Sequence, residues 1–115
     1  MKDNEVNVVQ YDSTQCEIVE SGIDSIAHAF EKGSFAEKRS LLLCLDKYLD
    51  PYFQYNLPHA PEIFAWLEEE FYRIDNPTIK QEVYELVSWY SDIKLKGYQL
   101  DRQGRLKTTK PWWLI

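Results

Sequence analysis

The sequence has 115 residues, of which 44% are hydrophobic and 28% are charged, and this suits a single globular domain. Residues 1–93 carry 18 acids and 7 bases, whereas residues 94–115 carry one acid and six bases; so acidic a body argues against direct binding to nucleic acid. No stretch reaches the roughly 20 apolar residues of a membrane-spanning helix, and the polar residues 1–5 lack the pattern of a signal peptide, so we expect a cytoplasmic protein without membrane contact.

The first predicted elements are an irregular segment and a helix. Residues 1–13 show no helical periodicity and are predicted to be irregular. Apolar residues at spacings of three and four then predict a helix over residues 14–32. Gly22 inside this stretch is a candidate break, and Gly33 is expected to cap the C-terminal end of the helix.

A second helix has clear start and stop signals. Ser34 and Glu37 have the spacing of a capping box, in which the two residues satisfy each other's backbone amides. The helix is expected to end at Leu49, because Pro51 disfavours helical geometry in the residue before it. Residues 51–61 contain three prolines and are predicted to be a loop. The aromatic residues of this loop either pack on the body or contact a partner; they are Tyr52, Phe53 and Tyr55.

Two further helices follow this loop. The third is predicted over residues 62–74 from its apolar periodicity. Asn76 and Pro77 then supply a capping residue and a proline at the first helical position, which predicts a new helix start. The fourth helix is expected to reach Lys96, with Gly97 as its C-terminal cap.

The remaining residues, 97–115, form a basic and aromatic tail. Within it, residues 101–104 end in glycine and lie between two short stretches that could pair as strands, which predicts a hairpin. The chain ends in an apolar segment that contains Trp112 and Trp113. We expect this end to dock on the helices, and exposure to a partner is the alternative.

The helical body, residues 14–96, repeats itself. The fourth helix aligns with the second at an offset of 42 residues, and the third aligns with the first at an offset of 41. The aligned pairs include Lys38 with Lys80, Tyr48 with Tyr90, and Phe30 with Phe71. This period is typical of HEAT and armadillo repeats. The sequence therefore predicts an all-α single domain built as a small stack of two HEAT-like helix pairs, with an irregular helical bundle as the alternative.

Signals of catalysis are weak. His28 and His59 are far apart, and no metal-binding or phosphate-binding motif is present in the sequence. Glu68–Glu70 is the densest acidic run, but consecutive side chains on a helix point about 100° apart and do not converge on one metal. Cys16 and Cys44 lie among apolar residues of predicted helices and are expected to be free thiols, with a disulfide as the alternative. We therefore predict no enzymatic activity, no cofactor and no metal.

A candidate partner-binding surface lies on the outer faces of the third and fourth helices. Aromatic anchors exclude water from an interface, while carboxylates pair with cations and accelerate encounter with a basic partner. If the helix pairs stack as a repeat, the two outer faces are expected to form one surface. In the alternative, the C-terminal tail or the loop at residues 51–61 covers the two indoles. The candidate residues are Trp66, Glu69 and Glu70 on the third helix, and Glu82, Glu85, Trp89 and Asp92 on the fourth.

A small, acidic, helical body with exposed acids and aromatics resembles the immunity proteins of bacterial toxin systems, including those of contact-dependent growth inhibition. The resemblance covers residues 14–96 and rests on architecture and charge, so no residue roles are carried over. It implies stoichiometric binding and neutralisation of a cognate toxin protein that is basic, such as a nuclease domain. The alternative is a helical-repeat adaptor that holds a peptide or a subunit of a larger assembly.

Overall fold

The computed structural model describes residues 9–109, and the sequence predictions for residues 1–8 and for the apolar end with Trp112 and Trp113 lie outside this range. Within it, five α-helices are followed by a two-stranded antiparallel hairpin. The helices are α1 (Ser13–Ser21), α2 (Ile23–Lys32), α3 (Phe35–Leu49), α4 (Ala60–Phe71) and α5 (Pro77–Tyr90), and the strands are β1 (Tyr98–Leu100) and β2 (Leu106–Thr108). The predicted helical class and the C-terminal hairpin are confirmed.

The predicted first helix is divided in two at Gly22. The φ angle of Gly22 is 111°, a conformation that residues with a side chain rarely adopt, so the helix stops there and α2 begins at the next residue. The start of α1 is fixed by a capping box between Asp12 and Gln15. Gly22 therefore acts as the break that the sequence indicated.

Gly33 ends α2 as predicted, but for a different physical reason. Its φ angle is −77°, so the left-handed conformation that commonly favours glycine at a helix end is not adopted. A Cβ atom at this position would lie 2.9 Å from the carbonyl oxygen of Ala29 and 3.2 Å from the Cβ atom of Glu37. Glycine is needed here because the backbones of two helices approach closely.

The starts of α3 and α5 follow their capping signals. The amide of Ser34 donates to Glu37 Oε1 at 2.8 Å, and the amide of Glu37 donates to Ser34 Oγ at 3.1 Å. The side chain of Asn76 accepts hydrogen bonds from the amides of Thr78 and Ile79. These bonds satisfy backbone donors that have no partner within the helix.

The prediction that the last helix reaches Lys96 is wrong, because α5 ends at Tyr90. The hydroxyl of Ser91 donates to the carbonyl oxygen of Val87 at 2.7 Å and accepts from the amide of Ile93 at 3.2 Å. These bonds turn the chain out of the helix, and Leu95 is buried from a non-helical segment. Gly97 consequently precedes the hairpin instead of capping a helix.

The helices pack as two stacked pairs. In the first pair, α1 and α2 together take the place of one helix that is broken at Gly22, and both lie against α3. In the second pair, α4 lies against α5. The pairs stack through contacts of α2 with α4 and of α3 with α5, which is the arrangement predicted from the internal repeat. The completely buried side chains between them are Val19, Ile26, Cys44, Leu45, Ile63, Leu67, Phe71, Val83 and Val87.

The hairpin is docked on the second pair by the side chain of Gln81. Its Nε2 atom donates to the carbonyl oxygen of Gly104 at 2.8 Å, and its Oε1 atom accepts from the amide of Leu106 at 3.0 Å. At about 100° per residue, Gln81 lies on roughly the opposite face of α5 from Tyr90, which contacts α3. The hairpin therefore covers the side of α5 that is turned away from the first pair.

Candidate functional site

A groove lies between α3 and α5, and we call it the α3–α5 groove. It encloses a cavity of about 210 Å³. Its walls combine aliphatic, aromatic and charged side chains. They are Arg39, Leu42, Leu43 and Asp46 from α3, Glu82, Glu85, Leu86 and Trp89 from α5, and Val9 from the N-terminal segment.

The two sides of this groove follow from helical spacing. On α5, Glu82, Glu85 and Trp89 recur at intervals of three and four residues and so share one face. The side provided by α3 was missed by the sequence analysis. Arg39 and Asp46 are seven residues apart, which is two helical turns, so the same search for outer faces on α3 could have found it.

An ion pair closes one part of the groove. Arg39 directs both Nη2, at 2.6 Å, and Nε, at 2.8 Å, to the same Oε2 atom of Glu82. The guanidinium group also lies 5.7 Å from the ring centroid of Phe35. The second oxygen of the carboxylate, Oε1, is buried and has no hydrogen-bond partner within the described part of the chain. A buried acceptor without a donor costs free energy, so Glu82 is incompletely satisfied within the described residues.

The other two carboxylates of the groove are partly engaged. Asp46 accepts a 2.6 Å hydrogen bond from the hydroxyl of Tyr90, and Glu85 accepts one of 3.2 Å from Gln81. Burial, together with the bond to Asp46, raises the pKa of the Tyr90 hydroxyl above its usual value near 10. Among the described residues that line the groove, three carboxylates thus face one cation, Arg39, and this lining has a net negative charge.

Trp89 is the main exposed apolar side chain of the groove. It is 57% exposed, and Leu43 across the groove is 37% exposed. Because large apolar side chains gain most from removal of water, an exposed indole beside carboxylates has the composition of a binding hot spot. The indole of Trp89 is therefore not covered by the hairpin or by the loop at residues 51–61.

A second groove, which we call the α2–α4 groove, lies on the other helix layer. It has a volume of about 590 Å³ and includes Trp66, Glu70 and Arg73. Trp66 is half-buried against Phe30, with ring centroids 5.4 Å apart in an edge-to-face arrangement. Glu70 forms an ion pair with Arg73, in which 3.1 Å separates Glu70 Oε2 from Arg73 Nη1. Trp66 is thus packed against the helical body itself.

The expectation of one continuous surface is wrong. Trp66 and Glu70 line the α2–α4 groove, while Glu82, Glu85 and Trp89 line the α3–α5 groove. The reason is that the first helices of the two pairs form one layer and the second helices form the other. The two remaining candidates, Glu69 and Asp92, are exposed and line neither groove.

Both cysteines are free, as predicted. Cys44 is completely buried, and this burial, with Cys16 nearby, raises the pKa of its thiol to about 12. Among residues 9–109, no group of three His, Cys, Asp or Glu side chains is arranged to hold a metal ion. No helix in the same range has the length and apolar character needed to cross a membrane.

The two grooves differ in what they offer to a ligand. The α2–α4 groove is larger, and Lys38 and Arg73 offset two of its three acids. The α3–α5 groove is smaller and more acidic, and it carries the exposed indole. Comparisons with protein-family models, with curated proteins and with solved structures give no match.

Proposed function

We propose that this chain is an immunity protein that binds a cognate basic toxin domain in the bacterial cytoplasm and neutralises it stoichiometrically. The observation that carries the proposal is the α3–α5 groove, in which exposed Trp89 lies beside Asp46, Glu82 and Glu85. An indole supplies apolar contact area, and the carboxylates supply partners for cationic side chains.

The charge of the whole body supports the same partner chemistry. Residues 1–93 have 11 more acids than bases, so a basic domain is attracted over distances longer than the contacts themselves. A toxin that acts on nucleic acid carries a basic substrate surface, because it must approach phosphates. An acidic protein bound there excludes the substrate by both charge and volume. The cytoplasmic location is supported by the two free thiols, which are typical of a reducing compartment.

The proposal is tested with the product of the gene adjacent to the one that encodes this chain. We expect a one-to-one complex, protection of cells that express the toxin, and an association rate that falls at least about tenfold between low and high salt. A purified pair that forms no complex, with no protection in cells, would overturn the proposal.

Variants of single residues then assign the surface. Trp89→Ala and Glu85→Gln are expected to weaken the complex, whereas Glu69→Gln, an exposed acid outside both grooves, serves as the matched control. Equal effects of Glu85→Gln and Glu69→Gln would mean that general charge, and not the groove, carries the binding.

A helical-repeat adaptor is a second candidate, and one observation favours it. The turn after α3 exposes Tyr52, at 81%, together with Phe53 and Tyr55. Two residues of this turn, Gln54 and Asn56, have φ angles of 58° and 52°, a left-handed conformation that costs free energy in residues with a side chain. The adaptor function predicts that Tyr52→Ala weakens partner binding more than Glu85→Gln does. The immunity function predicts the reverse order.

A further inference from the structure

We propose that the segment of residues 110–115 adds a strand alongside residues 92–96 and places the indole of Trp113 in a pocket beside Ile93. The receiving site lies between the end of α5 and the start of the hairpin. The inference does not depend on the proposed function, because it concerns how the chain covers its own backbone and not which partner it binds.

The hairpin brings the chain to this site. Thr108 of β2 pairs with Tyr98 of β1, and one residue later the amide of Thr109 donates to the carbonyl oxygen of Gly97 at 2.8 Å. This bond lies beyond the last residues of the two strands, so the antiparallel ladder already continues past the hairpin. Six extended residues span about 20 Å, whereas residues 92–96 require about 17 Å, so the 110–115 segment is long enough.

Residues 92–96 have the burial pattern of a strand with one covered face. The even-numbered side chains are exposed, whereas Ile93 is half-buried and Leu95 is only 6% exposed. Among residues 9–109, neither the amide nor the carbonyl of Leu95 has a backbone hydrogen-bond partner. Backbone groups of buried residues are nearly always paired, so this stretch offers an edge to another strand.

A pocket beside this edge has room for a large aromatic side chain. Its volume is about 390 Å³. The aliphatic and aromatic members of its wall suit an indole ring, and its hydroxyl groups suit the indole N–H. These members are Tyr84 and Ser88 of α5, Ser91, Ile93 and Leu95 of the following stretch, and Tyr98 of β1.

The register of the hairpin selects the indole that enters this pocket. Continued past Gly97, the register places Pro111 opposite Leu95 and Trp113 opposite Ile93. The amide of Leu95 then donates to the carbonyl of Pro111, and the missing amide hydrogen of the proline is tolerated because the added strand is an edge strand. Side chains directly opposite each other on one face are in contact, so the Trp113 ring packs on Ile93 and leaves water.

The neighbouring indole and the tether both support the same arrangement. Side chains alternate along a strand, so Trp112 lies on the exposed face, opposite Lys94. The ammonium group of a lysine is attracted to the face of an indole. A segment that is joined to its site by the chain also has a high effective concentration, and this favours it over a strand from another molecule.

The test measures nuclear Overhauser contacts and hydrogen exchange in the full chain labelled with ¹⁵N and ¹³C. We expect a contact between the Trp113 indole and the methyl groups of Ile93, and slow exchange of the Leu95 amide. In the double variant Trp112→Ser and Trp113→Ser, this exchange should accelerate about tenfold, while amides in the centre of α1 keep their protection. Lys107→Ser, at an exposed position of β2, is the matched control and should change the rate less than about twofold.

A second pair of variants tests the receiving side. Ile93→Ala removes most of the surface on which the indole packs, so exchange of the Trp113 indole N–H should accelerate about fivefold or more. Asp92→Ala, at the exposed neighbouring position, should leave this rate unchanged. Equal effects of the two variants would overturn the proposed position of the indole.

Three further results would overturn the proposal. The first is equal exchange of the Leu95 amide in the wild type and in the double variant. The second is a contact of Ile93 with Trp112 and not with Trp113, which would contradict the register. The third is a contact that joins differently labelled molecules in a mixed sample, because the added strand would then come from a second copy. A chain that neutralises no toxin but shows the expected contacts keeps this strand and loses the immunity function.

Discussion

The ammonium group of Lys80 lies 4.3 Å from the ring centroid of Phe71 and donates a 2.6 Å hydrogen bond to the carbonyl oxygen of the same residue. It also donates to the carbonyl of Ile74 at 3.3 Å. In the first helix pair, Lys38 lies 5.5 Å from the ring centroid of Phe30. Both lysines and both phenylalanines occupy equivalent positions of the internal repeat, so the two pairs share a contact between their helices.

Removal of the Lys80 charge should destabilise the fold. Lys80→Met keeps most of the side-chain volume but leaves the carbonyls of Phe71 and Ile74 without their donor. We expect the free energy of unfolding to fall by about 1–3 kcal/mol, measured by urea denaturation. Lys94→Met, at an exposed position, is the control and should change it by less than about 0.5 kcal/mol. Equal effects of the two variants would contradict the role assigned to Lys80.

The hairpin should loosen when Gln81 is shortened. Gln81→Ala removes the acceptor of the Leu106 amide and the donor to the Gly104 carbonyl. We expect hydrogen exchange of the Leu106 amide to accelerate about tenfold, which corresponds to about 1.4 kcal/mol, while amides in the centre of α3 keep their protection. Gln99→Ala, at an exposed position of β1, should leave the exchange rate unchanged. Unchanged exchange in Gln81→Ala would show that the hairpin is held by other contacts.

The capping box of α3 should contribute measurably to stability. Ser34→Ala removes the acceptor of the Glu37 amide at the helix start. The expected loss is about 1 kcal/mol in the free energy of unfolding, measured by thermal or urea denaturation. Ser88→Ala, on the exposed face of α5, is the matched control, and it should be neutral or slightly stabilising because alanine favours helix interiors. The assignment fails if Ser34→Ala matches this control.

Tyr90 should make stability depend on alkaline pH. Its hydroxyl has a pKa above the usual value near 10, because burial and the bond to Asp46 favour the neutral form. The unfolded chain therefore loses this proton at a lower pH than the folded chain, and the stabilising contribution present below pH 10 declines as the pH rises past it. The stability difference between the wild type and Tyr90→Phe should shrink above pH 10 in urea titrations. The difference for Tyr52→Phe, a largely exposed site, should stay near zero throughout, and a constant difference for Tyr90→Phe would contradict the argument.

Cys44 should resist alkylation in the folded protein. Its side chain is completely buried, and burial raises its thiol pKa to about 12, so little thiolate is present at pH 8. With iodoacetamide at pH 8, we expect Cys44 to react only as fast as the chain opens, and to react readily in urea. Peptide mass mapping separates it from Cys16. Rapid labelling of Cys44 without denaturant would show that its thiol is accessible in the folded protein.

Local signals predicted the helix starts well. The start signals act within a few residues, through the capping hydrogen bonds of Ser34 and Asn76 and through the backbone angle of Gly22. The local sequence is therefore sufficient to predict where these helices begin. The end of α5 was less predictable. Ile93 continues the apolar period of the helix from Tyr90, but the same residue and Leu95 also fit an extended segment, and the bonds of Ser91 decide between the two.

The candidate site was predicted only in part. The acids and indole of α5 were found because they recur on one outer face. The pairing of Glu82 with Arg39 joins residues 43 positions apart, and it depends on which helix packs beside which. The sequence pattern defines the face of a helix but not its neighbour, and this is why Trp66 and Trp89 were placed on one surface although they belong to different layers.

The hairpin on the outer side of α5 limits the binding surface, because it occupies the face on which another helix pair would stack. The surface therefore does not continue onto a third pair, and along α5 the α3–α5 groove is limited to the 14 residues of the helix, about 21 Å. A partner segment lying along it fits if it is about four helical turns long, or about six residues if it is extended. A toxin that is bound more extensively must reach beyond the groove, and Tyr52, in the segment that follows α3, is the most exposed large apolar side chain among residues 9–109.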